Sequence, residues 1–476
     1  MKRFDLVIVG GGVAGLVAAS GASQLGARVA LIDNTSLGGD CLRTGCVPTK
    51  RLIQSAKVAN IVNRAGEFGI EAGGFKVNFP KVMEALRAVQ ERIGVHDSPE
   101  RFKKMGVEVI IGQGRFIDKN TFEVNGERLY GRRFIIATGS APLMLPIPGL
   151  KESGALTNET ALRLEGLPET IAILGAGPIG LEFAQAFLRL GSKVTVIEKQ
   201  EQILPREDKE VADTLFKILT AEGVKIDVCT EIKNVRSEGG KKVLSASCPT
   251  GDKAYEAKEV MIAIGRVPNV DGLGLEAAGV AYDRRKGIQV DNTLRTSQRH
   301  IYACGDVVGH YAFTHVAEYH AGIALSNALF PFIKRRLDYR AVPWTTFTDP
   351  EFARVGLTEA EARERLKDKV KVYRFYFNDV DRAVIEGEGN GMVKLVCGKN
   401  AKLLGAHILG PHAGELVAEY VLAIQEGLPV TKISRAIHVY PTDSMAVKRA
   451  ADQYYREKLF TGWFPKLSKW IIRRGG

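Results

Sequence analysis

Residues 4–15 read FDLVIVGGGVAG. The apolar run before the glycines does not alternate, which is the pattern of a strand buried on both faces of a parallel sheet. Gly10, Gly12 and Gly15 then take the spacing G-x-G-x-x-G, an Ala/Leu-rich helical stretch follows, and a second strand ends at Asp33, 18 residues after Gly15. In that order the first glycine permits the turn and the second lets backbone amides approach a pyrophosphate. The third lets helix and strand pack closely, and the carboxylate accepts hydrogen bonds from an adenosine ribose. Residues 4–33 are therefore predicted to bind a dinucleotide, and the fold class to be α/β.

The chain repeats this opening. IAILGAGPIG at 171–180 carries Gly175, Gly177 and Gly180 after a strand, followed by the helix LEFAQAFLRL and the strand KVTVIE ending at Glu198. Two such units imply two nucleotides. A carboxylate at Glu198 suits a free ribose diol and repels a 2′-phosphate, so NAD is expected over NADP, with Lys199 the neighbour that argues the other way.

Composition sets the frame. At 476 residues the chain is long enough for two to four domains, and 45% apolar residues, 51 glycines and 25% charged residues describe a globular, turn-rich protein rather than a disordered one. The net charge of +12 gives a positive background that attracts anions. Six cysteines are too few for a disulfide scaffold and point to a reducing compartment with one special pair. No cleavable signal and no apolar run of membrane-spanning length is evident, so the expected location is cytoplasmic. No basic stripe interleaved with aromatics suggests nucleic acid.

The special pair lies in GGDCLRTGCVPTK, residues 38–50, where Cys41 and Cys46 are expected on a helical path, near enough for a disulfide to be made and broken with little backbone movement. A nicotinamide delivers two electrons and a disulfide takes two, and a flavin can stand between them. The thiolate nearest such a ring needs a low pKa, which a helix N-terminus or Lys50 can supply. Helices are expected over 51–70 and 79–104, then strands to about 136, the junction Ala137-Thr138-Gly139-Ser140, and a proline-rich linker at 142–148. Short strands over 244–264 close the second nucleotide unit. IYACGDV at 301–307 places Asp306 after a strand, where a carboxylate can hold a polyol or ribityl chain, and a helix starts near Thr314. From 342 the strands alternate, predicting an antiparallel sheet with helices packed on it.

With these motifs the chain resembles the pyridine nucleotide–disulfide oxidoreductases, the flavoenzymes that include dihydrolipoamide dehydrogenase, glutathione reductase and mercuric reductase. GGxCLxxGCVPxK, both glycine fingerprints, the ATGS and GRxPN junctions and the CGD motif carry the likeness over residues 4–455. The resemblance implies two Rossmann-like domains, for FAD and NAD, and a C-terminal α+β domain that forms a homodimer. It divides the chain into 1–150 (FAD, first part), 151–275 (NAD), 276–341 (FAD, second part), 342–455 (dimerisation) and the basic tail 456–476. It makes Cys46 the flavin-facing thiol and Cys41 the thiol that meets the acceptor, pairs Lys50 with Glu182 near the flavin, and sets Asp306 on the ribityl chain. Gly39, Thr138, Gly139, Gly265, Thr314 and Ala317 join the glycines, Asp33 and Glu198 as cofactor-binding residues.

The chain departs from dihydrolipoamide and glutathione reductases at His438-Val439-Tyr440-Pro441-Thr442-Asp443-Ser444-Met445. The family pattern H-x-H-P-T-x-x-E puts an acid/base histidine where Tyr440 stands and its orienting glutamate where Met445 stands. A phenol with a pKa near 10 is a poor proton shuttle at neutral pH, which leaves His438 as a substitute base. The expected function is transfer of electrons from NAD(P)H through FAD to Cys41–Cys46 and on to a disulfide or another small acceptor. The alternatives are mercuric-reductase-like activity, although no cysteine follows Cys397, NADH:quinone transfer at a membrane, and a non-catalytic NAD/FAD sensor or scaffold. Cys229, Cys248, Cys304 and Cys397 read as incidental thiols, and His310, His315 and His320, five residues apart, do not make a metal site. The tail carries Phe460, Trp463, Phe464, Leu467, Trp470 and Ile471 at helical spacing and, from Arg456 on, six basic residues against one acidic. It reads either as a basic amphipathic helix that lays residues 460–474 on the inner face of a membrane, or as a terminal helix packed on the protein itself or a partner.

Overall fold

The computed structural model describes residues 1–330 and 332–474. The opening strand, Leu6–Val9, is buried at every position and lies at the centre of a five-stranded parallel sheet. The spatial order is 301–303, 134–136, 6–9, 29–33, 108–111. Helix α1, Val13–Gln24, follows the glycine loop and buries Ala14, Ala18 and Ala22 on one face. These small residues share a core with Ala317, Ala321, Ala324 and Ala328 on a later helix, which lets the two backbones approach closely. Gly15 has to be glycine: a Cβ there would sit 1.8 Å from the carbonyl oxygen of Gly10, and the same position in the repeat, Gly180, would meet the oxygen of Gly175 at 2.0 Å.

A short helix and a long one follow the second strand, α2 over Gly39–Arg43 and α3 over Cys46–Asn63. The cysteines are therefore not on one continuous helix. The expected single helix over 79–104 is also broken, into Phe79–Gly94 and Pro99–Lys104, because Ser98 accepts from the Arg101 N–H and Pro99 can start a helix but not continue one.

The second glycine loop leads into α4, Pro178–Leu190, beside a four-stranded parallel sheet ordered 225–227, 193–197, 170–174, 259–262. An antiparallel meander over 231–257 stands where the short strands from 244 onward were expected. Strand Ile301–Ala303 then returns to the first sheet, and α5, Thr314–Leu329, follows it.

From Pro343 on, five antiparallel strands form a third sheet ordered 343–346, 351–356, 403–410, 392–397, 371–376, as the alternation predicted. A buried ion cluster ties it to the second unit: the Lys394 Nζ lies 2.8 Å from each of Asp208, Glu210 and Glu359. Three carboxylates around one ammonium compensate the desolvation of a charge that has almost no exposure. Helix α6, Ser444–Phe460, packs on this sheet, and after Gly462 the chain turns into a last helix, α7, Phe464–Arg474. Among the described residues no helix is long and apolar enough to cross a membrane.

Candidate active site

Cys41 and Cys46 sit on either side of the α2–α3 break. Gly45 makes it possible, since a Cβ there would lie 2.9 Å from the Asp40 carbonyl oxygen. The break brings Cys46 to the first turn of an 18-residue helix, where the unpaired backbone N–H groups favour negative charge. Its thiol is lowered from an ordinary value near 9 to about 6. The hydrogen bond from Cys41 is the largest cause, and the Thr314 hydroxyl and the Lys50 charge add to it against burial. The Thr314 Oγ1 lies 3.3 Å from Cys46 Sγ. Cys41, which donates to Cys46 and is partly buried, is pushed well above the ordinary thiol range. The pair is thus asymmetric: one thiolate and one thiol.

Lys50, one turn after Cys46, lies 2.9 Å from Glu182 Oε2 on α4. The other oxygen of Glu182, whose side chain is nearly buried, accepts the Phe347 N–H at 2.9 Å. The Lys50 ammonium also lies 4.5 Å from the centre of the Phe347 ring. Three segments distant in sequence thus meet beside the cysteines.

All of this faces one cleft of about 1080 Å³, at the top of the range of roughly 300–1,000 Å³ for ligand pockets and large enough for a dinucleotide. Gly10, Gly12, Asp33, Gly39, Thr138, Gly139, Asp306, Thr314 and Ala317 line it together with both cysteines, Lys50 and Glu182. Gly15 stands behind the loop as a packing residue. Asp33 Oδ2 accepts the Gly11 N–H at 2.7 Å and its Oδ1 the Thr35 and Ser36 N–H groups. The loop and the carboxylate are therefore held in register where a ribose and a pyrophosphate would lie.

The second fingerprint repeats the arrangement, with the Ala176 N–H donating to Glu198 Oε2 and the Gln200 N–H to Oε1, each at 2.7 Å. Lys199 instead pairs with Glu231 at 2.7 Å. Gly175, Gly177 and Gly180 lie outside the cleft lining, whereas Pro178, Ile179, Glu182 and Phe183 of α4 reach it, so the second unit touches the first at the cysteines.

Sequence reasoning took only Gly265 from the GRxPN junction, and Gly265 does not line the cleft. Arg266 does: its Nε donates to Ser140 Oγ at 2.7 Å, Ser140 donates to Asp306 at 2.7 Å, and its Nη2 pairs with Asp40. Thr138 Oγ1 donates to the Asn269 carbonyl at 2.7 Å, so ATGS and GRxPN are clasped together. The motifs were visible; that they grip each other was not.

An aromatic wall was also missed, with the Phe313 ring stacked between His315 and Trp344 at centroid distances of 5.5 and 5.9 Å. Of the three histidines, His315 lines the cleft, while His320 is buried, hydrogen-bonded to the Gly305 N–H and Tyr339, and lowered to about 4 by desolvation.

His438 and Tyr440 do not line the cleft of their own chain. His438 Nε2 lies 3.0 Å from Glu419, and the Tyr440 hydroxyl donates to Asp381 at 2.6 Å, a bond that raises the phenol's pKa further. Around them Ile437, Val439, Val384, Ile385 and Leu422 expose an apolar face.

The nucleotide loops, the cysteine pair and the third sheet define a two-nucleotide disulfide oxidoreductase with a dimerising C-terminal region. The chain belongs to the pyridine nucleotide-disulphide oxidoreductase family, whose profile matches residues 4–321, with the dimerisation domain of the same family matching 342–451. It is 35% identical over 467 residues to the dihydrolipoyl dehydrogenase of Bacillus subtilis, covering 94% of this chain and 97% of that protein. It is 33% identical over 449 residues to the mercuric reductase of Staphylococcus aureus, covering 94% and 82%.

Among solved structures, the HOCl-induced flavoprotein disulfide reductase RclA of Escherichia coli superposes with a TM-score of 0.84 at 30% identity, covering 94% of this chain and 99% of that one. A Cu(II) complex of the same protein is similar, with a TM-score of 0.83. The chain is an NAD(P)H-dependent flavoprotein oxidoreductase with FAD and a nicotinamide dinucleotide as cofactors, and its dimerisation domain makes it a homodimer.

Proposed function

We propose that this enzyme passes two electrons from NADH to the Cys41–Cys46 disulfide and from there to an acceptor that does not depend on an acid/base histidine. Bound FAD supplies a ring that takes a hydride from NADH and gives two electrons to a disulfide. In this reading residues 1–150 and 276–341 hold FAD through Gly10, Gly12, Asp33, Gly39, Thr138, Gly139, Asp306, Thr314 and Ala317. Residues 151–275 hold NAD through Gly175, Gly177, Gly180 and Glu198, and 342–455 dimerise. Lys50 and Glu182 fix a charge where the two units meet. Reduction of the disulfide takes two electrons and one proton, leaving Cys46 as the thiolate and Cys41 as the thiol. Cys41 gives its proton to water as its sulfur attacks the acceptor, and Cys46 then re-forms the disulfide with Cys41 as the two electrons leave with the acceptor. The observation that carries the reading is the asymmetric thiol pair opening onto the nucleotide cleft beside the Lys50–Glu182 pair.

Tyr440 decides the acceptor class. Its phenol, held protonated by Asp381, gives a fixed donor but no base near neutral pH, and Met445 cannot orient one. His438, engaged by Glu419, is the remaining imidazole nearby. An acceptor that needs little proton traffic fits best: a small electrophile, a non-standard disulfide or a metal ion. The mercuric reductase relatives and the Cu(II)-bound RclA favour metal ions as substrates, although no cysteine follows Cys397 to deliver one. Quinone reduction at the inner face of a membrane is a second reading, favoured by the exposure of residues 460–474. A non-catalytic sensor would need none of Cys41, Cys46, Lys50 or Glu182.

The test is an NADH-driven acceptor screen with lipoamide, glutathione disulfide, coenzyme A disulfide, mercuric and cupric ions and quinones, run with Cys41→Ser and Cys46→Ser. Loss of activity in both variants is expected. Activity that survives both means electrons leave the flavin directly and overturns the thiol route. Tyr440→His with Met445→Glu is expected to raise lipoamide turnover; no gain would refute the role assigned to Tyr440.

A further inference from the structure

Helix α7 has no buried residue, although half of it is apolar. Phe464, Leu467 and Ile471, at i, i+3 and i+7, form one ridge, bordered by Trp470 and Ile472; Lys466, Lys469 and Arg473 occupy the opposite arc. Trp463, Trp470 and Ile472 are 71, 53 and 75% exposed, and with the Phe464–Leu467–Ile471 ridge they group apolar surface of the kind that marks an interaction site. No acidic residue follows Glu457, so the helix presents only positive charge. Arg474, seven residues after Leu467 and so on the apolar side at the end of the helix, lies over the Trp470 ring at 4.3 Å.

The position of α7 separates it from the apolar face at 437–440. The 17 residues of α6 lie between them, about 26 Å of helix at 1.5 Å per residue. The far end of α6 is tied to the edge strand of the third sheet through Glu457 and the Tyr373 hydroxyl at 2.8 Å. Gly462, at φ +73°, then turns the chain out of line with α6. The apolar face at 437–440 and α7 are thus two separate surfaces at opposite ends of α6. At 11 residues α7 is about 16 Å long, half the ~30 Å of a bilayer core, so it can lie in a membrane surface but not cross it.

We propose that α7 is an interfacial anchor that lies in the plane of an anionic phospholipid surface. Phe464, Leu467, Trp470 and Ile471 enter the acyl boundary, and Lys466, Lys469 and Arg473 meet the headgroups. A homodimer carries two such helices, and when both reach one surface each weak contact supports the other. The inference rests on the membrane contact of the quinone reading but not on its chemistry: it holds whichever acceptor takes the electrons.

The experiment is co-sedimentation of the FAD-loaded homodimer with phosphatidylcholine vesicles, with and without phosphatidylglycerol. It compares the native chain with Lys466→Glu/Lys469→Glu/Arg473→Glu and with Trp470→Ser/Ile471→Ser, and measures molar mass by light scattering and soluble-acceptor activity alongside. The expected result is binding to the anionic vesicles that weakens with salt and falls by more than about 100-fold on charge reversal, with mass and activity unchanged. Failure of the native dimer to bind, or equal binding by the charge-reversed form, overturns the proposal. So does a fall in molar mass in either variant, which would assign α7 to contact between subunits. Vesicle binding without quinone reduction removes the quinone reading and leaves the anchor standing.

Discussion

Removing the Thr314 hydroxyl tests the origin of the Cys46 thiolate. With a pKa of about 6, Cys46 is about nine-tenths ionised at pH 7. The thiolate is present above its pKa of about 6 and is lost as the pH falls through that value. A hydrogen bond to a charged acceptor is worth about 1.5–3 kcal/mol. Sulfur is a weak acceptor and the Thr314 contact is 3.3 Å long, so the low end applies, about one pKa unit. Thr314→Val should therefore move the midpoint to about 7 and halve the thiolate at that pH. Cys41→Ala, which deletes the largest contribution, should move it further toward the ordinary thiol value.

The assay is the pH dependence of iodoacetamide alkylation in the reduced holoenzyme, read by mass spectrometry. Tryptic cleavage after Arg43 puts Cys41 and Cys46 on separate peptides. A midpoint that stays put in both variants, or that shifts more in Thr314→Val than in Cys41→Ala, would refute the assignment.

Gly15→Ala forces a Cβ into the Gly10 carbonyl at 1.8 Å, so the first loop must open; the purified variant should lack flavin absorbance, and a full complement contradicts the packing role. Lys394→Met leaves Asp208 buried without its cation, at a cost of about 3–5 kcal/mol, measurable as a lower unfolding midpoint. Burial opposes it, but Lys394 holds the Asp208 carboxyl below the usual range. The stability this contributes is present above the ordinary carboxylate pKa and is lost as the pH falls through the lowered one, so the gap between native and variant should narrow in acid. Glu198→Ala should raise the ratio of kcat/KM for NADPH over NADH by about tenfold, some 1.4 kcal/mol; an unchanged ratio would show that Glu198 does not face the ribose.

Much of the site was legible because its parts are local. The strand, glycine loop, helix and acidic residue are fixed by spacing within some thirty residues, and the structure repeats them at Gly10–Asp33 and Gly175–Glu198 with the same amide-to-carboxylate contact. The helix break at Gly45 was not legible. Five residues apart, Cys41 and Cys46 would lie about 140° apart round one continuous helix, but where the break falls depends on the close approach of Gly45 to Asp40, which precedes a new helix at Cys46. Arg266 escaped notice because a motif read in one dimension does not show that its side chain crosses to Ser140 and Asp40.

By itself the sequence determined the two dinucleotide units, the redox pair and the missing histidine, since each depends on residue type and short-range spacing. Tertiary structure decided how far the Cys46 thiol is lowered, because that depends on Cys41, Thr314 and Lys50 converging on one sulfur. It also decided that Lys199 pairs with Glu231 and that the tail helix is bare along its length. Electrostatics and burial are properties of neighbours in space, and those neighbours lie as many as 268 residues apart in the chain.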